Sequence, residues 1–166
     1  MKFKPRVRTR RVILHDSHTD PSVERVIDVL RWQGMKMGLL DIGYHWAVER
    51  DGTQIPLRDE ATIGTHTPGH NLDSIGVVLI GGRAKHVHED GDGGGFVYHP
   101  DRHFPEDQMV GLYDLLLGIK RRYAGIAVFG HSEVQRYRDR SLPDCPCLDM
   151  QDLRADLLTY AATGVA

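Results

Sequence analysis

The stretch IGVVLI at residues 75–80 is almost wholly apolar, and it decides the fold class that we predict for this chain. A short apolar run without polar alternation is typical of a central strand that is covered on both faces. Two further runs, RVIL at residues 11–14 and IAVF at residues 126–129, predict two more strands, and each run leads to a histidine. The three runs therefore predict a buried sheet with polar side chains at the strand ends.

Helical patterns alternate with these strands along the chain. The spacing of apolar residues predicts helices over about residues 20–32, 105–123 and 149–160, the first of them opened by Asp-Pro and the last by Asp. The pair Asp51-Gly52 lies between two strand-like segments and predicts a hairpin. This order of elements predicts an α/β fold, a single domain with a central mixed β-sheet flanked by helices.

The composition limits the class of protein. A chain of 166 residues with 40% hydrophobic and 27% charged residues is ordinary for one globular domain. The formal net charge of -2 argues against a dedicated nucleic-acid-binding protein. The basic run at residues 2–11 is either a solvated terminus or a patch attracted to an anionic cell envelope. No apolar core of a signal peptide follows it and no stretch is long enough to insert into a membrane, so we expect a protein made in the cytoplasm. We also expect a monomer.

Three side chains are candidate metal ligands. His15 ends the first strand, His131 ends the run that begins at residue 126, and Cys145 follows in an Asp-Cys-Pro sequence. Two imidazoles and one thiolate would leave the fourth position of a tetrahedral zinc site open, as in catalytic sites. The alternative for each is a buried residue with a structural role. Cys147 is predicted to be a small buried residue, because a disulfide with its neighbour at this spacing would be strained.

The sequence around these residues resembles that of the zinc-dependent N-acetylmuramoyl-L-alanine amidases, a family shared by phage amidases and animal peptidoglycan recognition proteins. The matching segments, in family order, are VILHDS at residues 12–17, DIGYHW at 41–46, RDGT at 50–53, GTH at 64–66, Asn71, SIGV at 74–77, GHSEV at 130–134 and DCP at 144–146. The resemblance covers most of residues 11–155. It implies an amidase catalytic domain over residues 11–162, preceded by a basic segment over residues 1–10.

The resemblance also implies roles for single residues. One Zn²⁺ per chain would be bound by the three candidate ligands, and Tyr44 would be the catalytic tyrosine that orients water or stabilises the oxyanion. His66 is expected either to line the substrate groove or to be structural. Asn71 is expected to order the loop before the central strand.

The chain departs from the family pattern near the third ligand. Many members carry a lysine two residues before that ligand, where this chain has Pro143. The segment before it contains Arg136, Arg138 and Arg140 instead. We predict that Arg138 or Arg140 contacts the substrate and supplies the positive charge near the oxyanion, since a guanidinium can stabilise an anion but cannot donate a proton. The alternative is that all three arginines are solvated.

Residues 83–103 form the least regular stretch, with a glycine-rich run and four histidines. The histidines are His86, His88, His99 and His103. A loop of this length is usually functional or disordered, and we predict a variable segment beside the substrate groove. An adventitious metal site is the alternative, because residues two apart in an extended segment share a face.

Together these features predict a zinc hydrolase that cleaves the amide bond between N-acetylmuramic acid and L-alanine in peptidoglycan. The favoured role is a phage endolysin that reaches the host cell wall after holin-mediated release. The alternatives are a cytosolic amidase that recycles muropeptides and a peptidoglycan-binding protein without catalysis. The presence of Cys145 favours the enzyme, because binding members of the family typically lack that ligand.

Overall fold

The computed structural model describes residues 3–19, 26–36, 38, 41–82, 84–85, 96–97, 104–135 and 145–164. The strands are β1 (Arg11–Asp16), β2 (Trp46–Val48), β3 (Gln54–Pro56), β4 (Ser74–Leu79), β5 (Ala84–Lys85), β6 (Phe96–Val97) and β7 (Ala127–Gly130). The helices are α1 (Val26–Lys36), α2 (Glu106–Arg122), α3 (His131–Val134) and α4 (Met150–Thr163). A short 3-10 turn at Asn71–Asp73 precedes β4.

Five of the strands form one mixed sheet in the order β3-β2-β4-β1-β7. Strands β2, β4, β1 and β7 run parallel to one another, and β3 pairs antiparallel with β2 across the predicted hairpin. Every residue of β4 is buried, as expected of a strand covered on both faces. The predicted α/β fold, with a central mixed sheet flanked by helices, is therefore confirmed.

The two faces of the sheet have different neighbours. Along β1, Val12 and Leu14 pack into the larger hydrophobic core with residues of α2 and α4. His15 is one residue further along the strand, so its side chain lies on the opposite face. It is paired with Val78 of β4, which packs with Leu30 of α1 in the smaller core. The first candidate ligand therefore lies on the α1 side of the sheet.

Helix α2 follows its predicted pattern and adds one polar contact inside the core. Its buried apolar residues are Leu112, Tyr113, Leu115, Leu116 and Ile119. The side chain of Gln108 is also fully buried, and its Nε2 donates to the carbonyl oxygens of Val48 and Ile80, at 2.9 Å each. Val48 is the last residue of β2 and Ile80 directly follows β4. One glutamine side chain therefore links the helix to two strands by hydrogen bonds.

Helix α4 has the predicted cap. The carboxylate of Asp149 accepts from the backbone N–H of Gln151 at 2.7 Å and of Asp152 at 3.1 Å. This satisfies two amides that have no partner inside the helix. The helix ends at Thr163, three residues beyond the prediction.

Helix α1 also continues beyond its predicted end near residue 32 and reaches Lys36. It passes through Gly34, which lies beyond the predicted end. A single glycine costs a helix only about 1 kcal/mol relative to alanine, so it does not end one by itself. The predicted start at residues 20–21 lies outside the described residues. In the parts of the chain that the structure describes, no helix is long and apolar enough to cross a membrane.

The basic N-terminal segment is attached to the sheet more closely than its composition suggested. Pro5 forms an antiparallel bridge with Thr62. The guanidinium of Arg6 donates to the carbonyl oxygens of Thr62 at 3.0 Å and Ser74 at 2.8 Å, and also to that of Glu60. Arg6 is therefore a structural cation rather than a solvated one. The domain boundary at residue 10 stays a prediction.

Part of the segment predicted as a loop over residues 83–103 forms a short ribbon. Ala84 pairs with Val97 and Lys85 with Phe96 in an antiparallel ladder. Two-residue strands are too short to give a periodic sequence signal. The four histidines predicted as a possible metal site in this segment lie outside the described residues.

Candidate active site

The fold brings the three predicted metal ligands together. His15 lies near the carboxyl end of β1, His131 is the first residue after β7, and Cys145 lies shortly before α4. Because β1 and β7 are adjacent and parallel, their carboxyl ends deliver both histidines to one edge of the sheet. One ligand atom from each residue lies within 4.8 Å of the other two. His15 Nδ1 and Cys145 Sγ are 3.9 Å apart.

This geometry fits a zinc ion. Zinc bonds of about 2.0–2.3 Å to nitrogen and sulfur place tetrahedral ligand atoms roughly 3.3–3.6 Å apart. The observed separations reach that spacing with small side-chain movements. His15 and Cys145 are only 2% and 4% exposed, whereas His131 is half-buried, so the site opens on one side. Two imidazoles and one thiolate in this arrangement leave a fourth position for substrate or water.

Hydrogen bonds hold the second and third ligands beside each other. The backbone N–H of Ser132 donates to the carbonyl of Cys145 at 2.8 Å, and the Ser132 hydroxyl accepts from the Cys145 N–H at 2.7 Å. One helical turn after His131, the amide oxygen of Gln135 accepts from His131 Nε2. This contact engages the Nε2 atom of His131.

The carboxylate of Glu133 fixes the turn that carries His131. Glu133 Oε2 accepts from the backbone N–H of Gly130 at 2.8 Å. Both carboxylate oxygens of Glu133 also accept from Arg154 of α4, at 3.0 Å each. A bidentate arginine–carboxylate pair has a defined geometry, so α4 helps to fix the position of the ligand.

Tyr44 lies beside the first ligand. Its ring centroid is 5.0 Å from that of His15 in an edge-to-face arrangement, and 6.2 Å from that of His66. Burial raises the pKa of the Tyr44 hydroxyl above its ordinary value, and the negative charges of Cys145 and Asp16 raise it further. The hydroxyl therefore keeps its proton at neutral pH, where it is available as a hydrogen-bond donor.

The predicted site residues line an open cleft of about 610 Å³ on the α1 side of the sheet. Its lining includes His15, Tyr44, His66, His131 and Cys145, with Lys36, Thr65, Pro68 and Asn71 around them. A cleft of this size is suited to a substrate of several residues rather than to a single small group. Five of the seven predicted site residues therefore meet in one place.

His66 lies behind the first ligand as well as at the cleft wall. Its Nδ1 is 3.1 Å from His15 Nε2, and its Nε2 is 3.3 Å from Ser74 Oγ. Burial lowers the pKa of His66 well below its ordinary value, and repulsion from nearby histidines adds to this. Asn71 Oδ1 accepts from the backbone N–H groups of His66 at 3.0 Å and Thr67 at 2.8 Å, which matches its predicted role in ordering the loop.

The other two predicted site residues cannot be placed. Arg138 and Arg140 belong to residues 136–144, which lie outside the described residues, and so does Pro143. Their contact with the substrate stays a prediction.

A second group of side chains shares the thiol of the metal site. Ligand atoms of Asp16, His18 and Cys145 also lie within 4.8 Å of one another. His18 Nδ1 is 2.7 Å from Asp16 Oδ1, and Asp16 Oδ2 accepts from the Cys147 N–H at 2.8 Å. The Cys147 amide therefore satisfies one carboxylate oxygen, while Oδ1 lies within ion-pair distance of His18 without a hydrogen bond among the described residues. Cys147 itself is 4% exposed, as predicted.

The fold and the three-ligand site correspond to a metal-dependent hydrolase of the amidase type. Residues 5–147 match the family model of N-acetylmuramoyl-L-alanine amidases, and the chain belongs to this family. It is therefore an N-acetylmuramoyl-L-alanine amidase, as the sequence segments predicted.

Three relatives show how far the similarity extends. The chain is 34% identical over 151 residues to the endolysin of Enterobacteria phage T3, covering 91% of this chain and 89% of that one. The endolysin of Escherichia phage T7 matches with the same identity and coverage. Among solved structures, the endolysin amidase LysCS from Clostridium intestinale URNW has a TM-score of 0.73 at 18% identity, covering 95% of this chain and 89% of that one. At that identity the structure supports the fold alone.

Some residues of the site were missed from the sequence. Gln135 lies four positions after His131, a spacing that places two side chains on one helical face and could have indicated the contact. Thr67 and Ser74 carried no such signal. Thr67 meets His15 from 52 positions away, and Ser74 meets His66 from the start of β4.

Proposed function

We propose that the chain hydrolyses the amide between N-acetylmuramic acid and L-alanine with one zinc ion held by His15, His131 and Cys145. The observation that carries this proposal is the convergence of two imidazoles and one thiol at an open cleft, within 4.8 Å of one another. When bound there, zinc supplies a Lewis acid that polarises a carbonyl oxygen and lowers the pKa of water. The remaining steps depend on the residues of the chain.

Tyr44 is the catalytic residue in this proposal. Its protonated hydroxyl, beside His15, donates a hydrogen bond to the oxygen on which negative charge develops as the amide carbonyl is attacked. One well-placed donor of this kind is worth about 3–4 kcal/mol of transition-state stabilisation. The raised pKa of Tyr44 supports this role, because a donor must keep its proton.

Arg138 or Arg140 supplies a positive charge near the same oxygen, in place of the lysine that other family members carry where this chain has Pro143. The charge is needed because a thiolate ligand reduces the net charge of the metal site. Contact of His66 with the substrate is a weaker part of the proposal. Both of its ring nitrogens already have partners inside the protein.

The biological role that we propose is that of an endolysin acting on the peptidoglycan of the host cell wall. The two phage endolysins at 34% identity support it, since each match covers 89% of the relative. Release through the inner membrane by a separate holin, a monomeric state and the lack of nucleic-acid binding complete the proposal.

The test uses purified protein and purified sacculi. We expect about one zinc per chain and release of new L-alanine amino termini without new reducing sugar ends. Cys145→Ser should lose both zinc and activity. Cys147→Ser is the matched control, because its side chain is equally buried and its contact with Asp16 is made by the backbone. Release of reducing ends, or full activity in Cys145→Ser, would contradict the proposal.

A further inference from the structure

A buried chain of hydrogen-bonding groups leads from the first metal ligand to the start of β4. His15 Nε2 lies 3.1 Å from His66 Nδ1 and 3.2 Å from Thr67 Oγ1. Thr67 Oγ1 lies 3.0 Å from His66 Nδ1. On the other side of the same ring, His66 Nε2 lies 3.3 Å from Ser74 Oγ, and the Ser74 hydroxyl donates to the carbonyl of His70 at 2.7 Å.

The far end of this chain fixes the roles of the two His66 nitrogens. Ser74 uses its proton on a carbonyl, so its oxygen accepts from His66 Nε2–H. A neutral imidazole has one N–H, and His66 Nδ1 is therefore an acceptor. His15 Nε2 and the Thr67 hydroxyl are the groups within reach that can donate to it. A proton on His15 Nε2 is the arrangement in which two acceptor nitrogens do not face each other at 3.1 Å. The other nitrogen of His15, which faces the Cys145 thiol, is left without a proton, as a metal ligand requires.

Two glycines form a slot for the His66 ring. A Cβ atom built on Gly76 would lie 2.5 Å from the ring, and one built on Gly64 would lie 2.6 Å from it. Both distances are shorter than Cβ atoms show in proteins, so any residue other than glycine at either position would clash with the ring. Asn71 holds the backbone of the same residue from the other side. The slot therefore fixes the direction of the acceptor nitrogen before any metal binds.

We propose that His66 is a positioning residue for the metal site. Its Nδ1, together with the Thr67 hydroxyl, accepts the Nε2 proton of His15 and so selects the tautomer and ring orientation in which His15 Nδ1 binds zinc. The inference rests on the proposed function in taking zinc as the metal. It gives His66 a role inside the protein in place of direct contact with the substrate.

The test compares two substitutions of nearly the same shape. His66→Asn keeps an acceptor oxygen near the position of Nδ1, whereas His66→Leu removes it. The matched control is His45→Asn, because His45 is a fully buried histidine whose ring lies 5.7 Å from that of His66. Its nitrogens contact the backbone of Gly76 and Thr62 and the guanidinium of Arg6, and not the metal ligand.

The probe is zinc alone, titrated into metal-free protein against a chromophoric chelator. Cobalt(II) absorption gives a second readout that reports ligand geometry and does not depend on turnover. Circular dichroism of the metal-free variants shows whether each one folds. Loss of an outer partner of a histidine ligand typically weakens metal binding by about 10–100-fold.

We expect His66→Leu to bind zinc about 10–100-fold more weakly with an altered cobalt spectrum. His66→Asn should recover most of that loss, and His45→Asn should bind as the parent does. Parent-like affinity in His66→Leu overturns the inference, and so does equal weakening in His66→Asn or in His45→Asn. If the parent protein binds no zinc, the proposed function fails instead, so the two failures are distinguishable.

Discussion

Lowering the pH should destabilise the metal-free protein through His45, a residue outside the metal site. His45 is fully buried, and its two nitrogens have partners of opposite kind. The backbone N–H of Gly76 donates to Nδ1 at 2.9 Å, and Nε2 donates to the carbonyl of Thr62 at 3.0 Å. Protonation of Nδ1 would point its N–H at the backbone N–H of Gly76, and two donors repel each other. Burial lowers the pKa of His45 to about 4, and the positive charges of Arg6 and Arg58 contribute.

The size of the effect follows from this shift. Above about pH 6.5 the ring is neutral in both the folded and the unfolded chain. Between that pH and about 4, the unfolded chain binds a proton that the folded chain does not, so the free energy of unfolding falls as the pH falls. At about 1.4 kcal/mol per pH unit, the loss from His45 between about pH 7.5 and about pH 5 is roughly 2 kcal/mol.

Urea unfolding of the parent and of His45→Asn, with a chelator present throughout, isolates this contribution. Asparagine does not titrate, and all other groups are common to both proteins. The variant should be less stable than the parent at about pH 7.5, and the difference should shrink by roughly 2 kcal/mol at about pH 5. A stability difference that does not change with pH would show that His45 does not titrate as its contacts require.

Three further measurements test other parts of the molecule. Tyr44→Phe should lower turnover by ~10²-fold or more, with zinc content and melting temperature nearly unchanged, and near-normal turnover would make the tyrosine structural. Arg136, Arg138 and Arg140 are replaced singly by alanine, and we expect Arg138→Ala or Arg140→Ala to reduce turnover without loss of zinc. Full turnover in all three variants would refute the proposed positive charge near the oxyanion. Gln108→Leu removes the side-chain donor from the Ile80 carbonyl, while the Val48 carbonyl still accepts from the Ile80 N–H at 3.1 Å. The free energy of unfolding in urea should fall by about 1–3 kcal/mol, whereas a change below about 0.5 kcal/mol would mean that water replaces the amide.

The sheet and the convergence of the three candidate ligands could be predicted because their signals are local or lie in short family-like segments. An apolar run such as residues 75–80 has few structural interpretations other than a buried strand. His15 and His131 follow directly from two such runs, and adjacent parallel strands bring their ends together. The hairpin at Asp51-Gly52 and the cap at Asp149 are equally local. These predictions needed no knowledge of how distant parts of the chain meet.

The surroundings of the ligands could not be predicted, because they depend on contacts between distant segments. Thr67 meets His15 across 52 positions, and Cys147 meets Asp16 across 131. The contact of Cys147 is made by its backbone N–H, and that of Thr67 depends on the orientation of the His15 ring. Arg6 shows the same limit, since its charge suggested solvent while its position beside the sheet made it structural.

The histidines at the sheet differ in role although their side chains are identical, and the partners of their nitrogens explain why. His45 has one nitrogen accepting from the backbone and one donating to it, so metal binding there would break a hydrogen bond inside the core. His66 likewise has both nitrogens engaged, between His15 and Ser74. Nε2 of His15 lies beside the Thr67 hydroxyl and the His66 ring, and Nε2 of His131 donates to the amide oxygen of Gln135. His15 then turns Nδ1 toward the Cys145 thiol. A metal at Nδ1 of His15 would leave its Nε2 contacts in place, whereas a metal at His45 would break a hydrogen bond to the backbone. These contacts favour His15 over His45 as a ligand of the proposed metal site.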